Sequence, residues 1–153
     1  MIKILGAILI LSASICACVF YEKRQKEQLS SIIECNDLIQ FIKSQIEYFS
    51  TPIEKIFNLY SKESSHSAVT KSIIENRLES IKDLFDMEDF SLINEFFSTL
   101  GMGVKTEQLA LCSYTIEELE KAIKKKKAEL PEKIKVFRAM ALFIGICIII
   151  LLI

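Results

Sequence analysis

The chain ends in the apolar stretch FRAMALFIGICIIILLI, from Phe137 to Ile153, which contains one charged residue. A soluble domain seldom exposes such a run, because apolar surface gains free energy by leaving water. The uncharged part has 15 residues, or about 22 Å of helix, which is short for a hydrocarbon core of about 30 Å. We expect Val136 and Phe137 to lengthen it while the Arg138 side chain reaches the headgroups. The stretch 136–153 is therefore predicted to be a transmembrane helix.

A second apolar run, ILGAILILSASICACVFY, covers Ile4 to Tyr21 and contains no charge over 18 residues. A helix of that length spans about 27 Å, so residues 1–21 are also predicted to cross a membrane. A cleaved signal peptide, including lipoprotein processing before Cys18, is an alternative interpretation of this run. A buried core helix or a re-entrant hairpin is another, but a middle segment of this size would hardly bury two helices that are apolar on every face.

Basic residues adjoin both runs on the side of the middle segment. Because positive charge near a span stays in the cytoplasm, the middle segment 22–135 is predicted to be cytoplasmic, between transmembrane helices at 1–21 and 136–153. These two groups of basic residues, the basic collars, are also expected to contact anionic lipid headgroups. The predicted orienting residues are Lys23, Arg24, Lys26, Lys124, Lys125, Lys126, Lys127, Lys133, Lys135 and Arg138.

Each apolar run also contains two small residues four positions apart, Ala13 and Ala17 in the first and Ala141 and Gly145 in the second. Such pairs allow helix backbones to approach closely in lipid. We predict that these residues pack the two spans together.

The middle segment is acidic and has helical periodicity. From Glu27 to Glu117 there are 7 basic and 15 acidic residues, a net charge of −8. Apolar residues at heptad spacing follow two long segments, and the scarcity of Gly and Pro argues against a β domain. We predict an all-α, antiparallel helical bundle. The two stripes are Ile32, Cys35, Ile39, Ile42, Ile46 and Phe49, and Leu109, Cys112, Ile116, Leu119, Ile123, Lys126 and Leu130.

Turn residues divide the middle segment into helices. Thr51 is a predicted cap and Pro52 suits the first position of a short helix. Gly101 and Gly103 are predicted to form the turn before the last helix, which Thr106 would cap. A third helix is expected at 68–84, a fourth at 88–100, and a last one from about Glu107 that Pro131 kinks or splits.

The sequence lacks the patterns of catalytic, cofactor and metal sites. His66 is the single histidine and lies in a serine-rich loop segment. No phosphate-binding loop, HExxH motif or paired Cys pattern is present, so neither an enzyme nor a bound cofactor is expected. The KAIKKKK segment adjoins a predicted span and is better explained by lipid contact than by nucleic-acid binding.

The order of several segments resembles the stage III sporulation protein AB family of endospore-forming Firmicutes. The resemblance covers nearly the full chain and depends on IKILGAILIL, QIEYFSTPIEKIF, STLGMG with Gln108 downstream, and the final FRAMALFIGICIIILLI. Ala141 departs from the glycine that is usual in the family, and Lys105 and Thr106 stand where an Asp often caps the last helix.

The resemblance implies a component of the secretion-like complex that links mother cell and forespore. It implies a bundle similar to the F-type domains of type II secretion systems, with a cytoplasmic secretion-type ATPase and other membrane proteins of the complex as partners. A general membrane scaffold or an exported lipoprotein without a sporulation role is the alternative. The acidic residues form a candidate partner surface: Glu75, Glu79, Asp83, Asp86 and Asp89.

Overall fold

Residues 2–49, 52–63, 68–75 and 77–152 are described by the computed structural model, with side chains placed except at 2–5, 7, 8, 11, 54, 61–63, 68, 151 and 152. Within these ranges every regular element is helical, which confirms the all-α prediction. The elements are α1 (Ile2–Ser44), a π-helical turn (Gln45–Phe49), α2 (Ile53–Glu63), α3 (Ala68–Ile74), a 3₁₀ helix (Leu78–Leu84), α4 (Met87–Thr99) and α5 (Lys105–Leu152).

The chain forms two compact units that share α1 and α5. The terminal unit consists of Met1–Glu27 and Lys125–Ile153, and the bundle unit consists of Gln28–Lys124. The predicted orienting residues therefore belong to the terminal unit, with the exception of Lys124, which belongs to the bundle unit.

One apolar cluster holds the bundle unit together, and the α1 stripe lies at its centre. Its members Ile32, Cys35, Ile39 and Ile42 are fully buried. Phe49, predicted as the last member of the stripe, is instead 69% exposed. The reason is the π-helical turn, in which each N–H bonds to the carbonyl oxygen five residues earlier, so the heptad register is lost.

The α5 stripe contributes Cys112, Leu119 and Ile123 to the same cluster. Helix α5 begins at Lys105, so the prediction that Thr106 caps it was wrong. Val104 takes the cap position: its carbonyl oxygen accepts from the Gln108 N–H at 3.1 Å. The Val104 N–H donates to Glu107 Oε2 at 3.2 Å, as in a capping box.

Pro131 lies inside α5, and the helix is not split there. Its ring removes one backbone donor, but Pro131 is exposed, so water can satisfy the carbonyl oxygen that loses its partner. Of the two outcomes predicted for Pro131, a kink or a split, the split was therefore wrong.

The predicted third helix, 68–84, is two elements. Helix α3 ends at Ile74 and a 3₁₀ helix starts at Leu78. Between them Arg77 has φ −112° and ψ 46°, outside the helical region. Ser80 Oγ donates to the Arg77 carbonyl oxygen at 2.7 Å, which satisfies an acceptor at the break.

The bounds of helices α2 and α4 lie close to the predicted ones. Helix α2 starts one residue after Pro52, whose carbonyl oxygen accepts from the Lys55 and Ile56 N–H groups at 2.9 and 3.2 Å. Pro52 therefore precedes the helix instead of occupying its first position, and Thr51 lies outside the described residues. Helix α4 matches the predicted range 88–100 to within one residue.

Gly101 and Gly103 lie in the turn between α4 and α5 with φ of 90° and 96°. This left-handed region suits glycine because a Cβ there meets the following carbonyl oxygen. At Gly101 a Cβ would also lie 2.9 Å from Ile53 Cδ1, so the turn packs directly on α2.

No helix within the described part of the chain is sufficiently long and apolar to cross a membrane. Part of each predicted span, namely 1–5, 7, 8 and 11 in the first and 151–153 in the second, lies outside the residues with described side chains.

Candidate functional site

The collar residues on α1 and α5 meet at Glu22. Lys26 Nζ lies 2.7 Å from Glu22 Oε1, and Arg138 pairs with the other oxygen of the same carboxylate. Hydrogen bonds from Lys26 and then from Arg138 lower the pKa of Glu22. Lys23 pairs more loosely with Glu27, at 3.7 Å. The carboxylates therefore offset part of the positive charge that the sequence concentrates here.

On α5 the collar is mostly exposed. Lys133 Nζ lies 2.8 Å from Glu129 Oε2, and this hydrogen bond lowers the pKa of Glu129. Lys126 is half-buried. The remaining orienting residues of this helix are exposed: Lys124, Lys125, Lys127 and Lys135.

A close approach between α1 and α5 in the terminal unit occurs at Gly145, which is buried. A Cβ at Gly145 would lie 2.9 Å from Ser14 Oγ, and that hydroxyl donates to the Ile10 carbonyl oxygen at 3.0 Å. Ala13 and Ala17, the residues predicted to pack here, are exposed, and Ala141 is half-buried. The small residue of α1 that faces Gly145 is thus Ser14, the neighbour of Ala13.

The acidic residues of the candidate partner surface differ in environment. Glu79, Asp83 and Asp86 are exposed. Glu75 pairs with Arg77, and Lys71 Nζ lies 4.0 Å from its other oxygen. Asp89 is 8% exposed and so presents little surface to a partner.

Part of this charge also has a local structural role. Asp86 is the N-cap of α4, and Glu88 and Asp89 lie in its first turn. Carboxylates at this end of a helix interact favourably with the helix dipole. Beside them Met87 is 85% exposed, so an apolar side chain lies among carboxylates on the surface.

A second exposed apolar surface is the tip of the bundle unit, formed by Tyr48 and Phe49 with Met102 and Val104. Their exposed fractions are 75%, 69%, 69% and 61%. Lys105 Nζ donates to the Glu47 carbonyl oxygen at 2.9 Å and thereby joins these two segments. Periodicity could not have predicted this surface, because the π-helical turn and the glycine turn create it.

The buried cysteines of the bundle have unreactive surroundings. Burial raises the pKa of the Cys112 thiol to about 11 and raises that of Cys35 further. Since the thiolate is the nucleophile, neither thiol has the character of a catalytic group. Among the described residues, no cluster of His, Cys, Asp or Glu is arranged to hold a metal ion.

The fold and these surfaces define a class of protein: an all-α chain with a helical-bundle unit and a terminal unit of two helix segments, whose exposed charged and apolar patches suit contacts with other molecules. The chain matches the family model for stage III sporulation protein AB over residues 3–80 and 64–153, and it belongs to that family. No curated protein and no solved structure matches the chain with significance.

Proposed function

We propose that the chain is a membrane-anchored structural component of the stage III sporulation machinery, and that it works by binding partners instead of by catalysis. Membership of the family supports the sporulation role. The uncharged runs and the basic residues that adjoin them support anchoring through both ends with the bundle in the cytoplasm. The machinery is a secretion-like complex between mother cell and forespore, and the anchor lies in the mother-cell membrane.

The observation that carries the binding role is the exposed acidic patch around Met87. Asp83 and Asp86 precede Met87 closely in the chain and are exposed, and Met87 is 85% exposed. A partner with an apolar contact residue surrounded by basic groups would complement this patch. We propose that a cytoplasmic secretion-type ATPase docks here, next to the other membrane proteins of the complex.

Charge reversal tests the docking surface. The double variant Glu79→Lys, Asp83→Lys changes two exposed residues and leaves the Asp86 cap of α4 in place, and it is expected to abolish co-purification of the ATPase from sporulating cells. The matched control, Glu117→Lys with Glu120→Lys, makes the same charge change at exposed positions of α5 and should retain the ATPase. If both double variants capture the ATPase equally well, the acidic patch is not the docking surface.

The tip of the bundle provides the second candidate surface. The double variant Phe49→Ser, Met102→Ser removes two of its four exposed apolar side chains without changing charge. Loss of the ATPase with this variant but not with the acidic one would move the docking site to the tip. If neither double variant loses the ATPase, although both full-length variants still enter membranes, a general membrane scaffold remains as the function.

Anchoring and cleavage are tested separately. The intact mass of the membrane-extracted protein distinguishes an uncleaved first helix from lipoprotein processing before Cys18. Reporter fusions after Tyr60 and after Ile153 should show opposite sides of the membrane. A mature protein that starts at Cys18 would contradict the two-span arrangement.

A further inference from the structure

A groove of about 420 Å³ lies along the terminal unit, between α1 and α5. The rings of Tyr21 and Phe137 line it and stack with centroids 4.0 Å apart. The α5 residues that line it recur at helical spacing between Glu129 and Met140. At about 1.5 Å per residue the groove follows roughly 16 Å of α5.

The groove is polar toward the start of this segment of α5. Glu129, Glu132 and Lys133 line that end. Lys133 Nζ is 2.8 Å from Glu129 Oε2, whereas Glu132 is exposed and makes no ion pair within the described residues. The polar end thus offers one ammonium and two carboxylates, with one carboxylate available.

The other end of the groove is apolar. Val136 and Met140 line it and are 53% and 58% exposed. Together with the stacked rings they form an apolar wall directly beside the polar end. This change from polar to apolar lies where the basic collar meets the C-terminal apolar run. In a chain anchored through both ends, this position is at the level of the lipid headgroups.

We propose that this groove binds a phospholipid with a primary ammonium in its headgroup, that is, one of the phosphatidylethanolamine class. The ammonium donates hydrogen bonds to Glu132, the phosphate pairs with Lys133, and an acyl chain lies along Val136 and Met140. The inference rests on the proposed membrane anchoring, because the lipid must be present at this level.

Charge decides between headgroups. A purely anionic headgroup such as phosphatidylglycerol would face two carboxylates and only one ammonium, so it gains little here. A choline headgroup is zwitterionic, but its quaternary nitrogen has no N–H to donate to Glu132. The primary ammonium is the headgroup that supplies both the missing positive charge and its donors.

Native mass spectrometry of the full-length protein tests this assignment. The protein in detergent is incubated with equal amounts of phosphatidylethanolamine, phosphatidylcholine and phosphatidylglycerol with identical acyl chains, and the bound lipids are counted. We expect phosphatidylethanolamine adducts to exceed phosphatidylcholine adducts about three- to fivefold, the preference expected when only one of the two headgroups can donate a hydrogen bond to the carboxylate. Glu132→Gln should bring that ratio close to one.

Glu120→Gln is the matched control, since Glu120 is an exposed glutamate of the same helix and does not line the groove. It should leave the preference unchanged. Equal adducts of all three lipids with the unaltered protein, or a preference that survives Glu132→Gln, would overturn the proposed site while leaving the membrane anchoring intact. Protein that stays soluble without detergent and carries no lipid would instead contradict the anchoring itself.

Discussion

The rings of Tyr21 and Phe137 stack face to face, with centroids 4.0 Å apart and planes inclined by 10°. The next residue on each helix, Glu22 and Arg138, forms an ion pair. Two successive residues of α1 therefore contact two successive residues of α5. Because a shift of one helix along its axis would separate both pairs, the two contacts together fix the register of the helix pair within the terminal unit.

Removing either ring of this stack should destabilise the helix pair. An aromatic pair contributes about 0.5–1.5 kcal/mol beyond the apolar area that it buries. A double-mutant cycle with Tyr21→Leu and Phe137→Leu, measured by unfolding in detergent, should give a coupling energy in that range.

Phe20→Leu is the control for this cycle. Phe20 is 70% exposed on the same helix, and its cycle with Phe137→Leu should show no coupling. A coupling energy near zero for the Tyr21 and Phe137 pair would contradict the role of the stack in setting the register.

Gly101→Ala should lower the free energy of unfolding of the bundle by at least about 2 kcal/mol. The left-handed conformation costs about 1–2 kcal/mol for a residue with a Cβ, and here φ is 90°. The added methyl group also collides with Ile53 Cδ1, which lies 2.9 Å from the Cβ position. Chemical denaturation of the full-length protein measures the loss.

Ile53→Val separates the two contributions, because it deletes the colliding methyl group. In that background Gly101→Ala should cost less, and the remaining cost reports the backbone conformation. Gly103→Ala provides a comparison, since the group in its way is the carboxylate of Glu107, the end of a flexible side chain. An equal cost of Gly101→Ala in both backgrounds would show that packing on α2 is unimportant.

Asn36→Leu should stabilise the bundle. Asn36 is 6% exposed, and its Oδ1 atom has no hydrogen-bond partner among the described residues. Burying an unsatisfied polar atom costs about 1–3 kcal/mol, so an apolar side chain of the same branched shape should raise the free energy of unfolding by about 1 kcal/mol.

The neighbouring exposed residue Asp37 serves as the control for this substitution. Asp37→Leu should change the free energy of unfolding by less than about 0.5 kcal/mol. A loss of stability with Asn36→Leu would indicate that the amide has a partner, such as bound water, in solution.

Helical periodicity predicts most of the fold because buried apolar residues recur on one face of each helix. It missed the change from α3 to the 3₁₀ helix for a physical reason. Leu78, Ile81 and Leu84 are spaced by three, and this spacing puts residues on one face in both helix types. Ile81 is buried, as an α-helix would also require.

The surfaces were harder to predict than the core. Phe49 continues the apolar spacing of α1, and only the π-helical turn explains its exposure at the tip. The groove between α1 and α5 depends on which residues the register brings together, and the sequence does not specify that register. Ser14 illustrates the limit, since it faces Gly145 although Ala13 and Ala17 fit the small-residue spacing.

The buried thiols should make the bundle less stable at high pH. The pKa of Cys112 is raised by burial from 9.0 to about 11, and burial also raises the pKa of Cys35. Below pH 9 the thiols are protonated in both the folded and unfolded states, so they give no pH dependence. Above pH 9 the unfolded chain loses these protons while the folded chain keeps them, so the free energy of unfolding falls as the pH rises.

Chemical denaturation of the full-length protein between pH 7 and pH 10.5 measures this dependence, with Cys35→Ala as the comparison. The variant has a lower free energy of unfolding at pH 7, because the Cys35 side chain is fully buried and its loss leaves a cavity. Above pH 9 its curve should be less steep than that of the unaltered protein, by at most about 1.4 kcal/mol per pH unit for one thiol. The comparison isolates Cys35, because every other titratable group is present in both proteins. Parallel curves across this range would show that Cys35 titrates alike in the folded and unfolded chain, which is incompatible with a thiol enclosed in the apolar cluster.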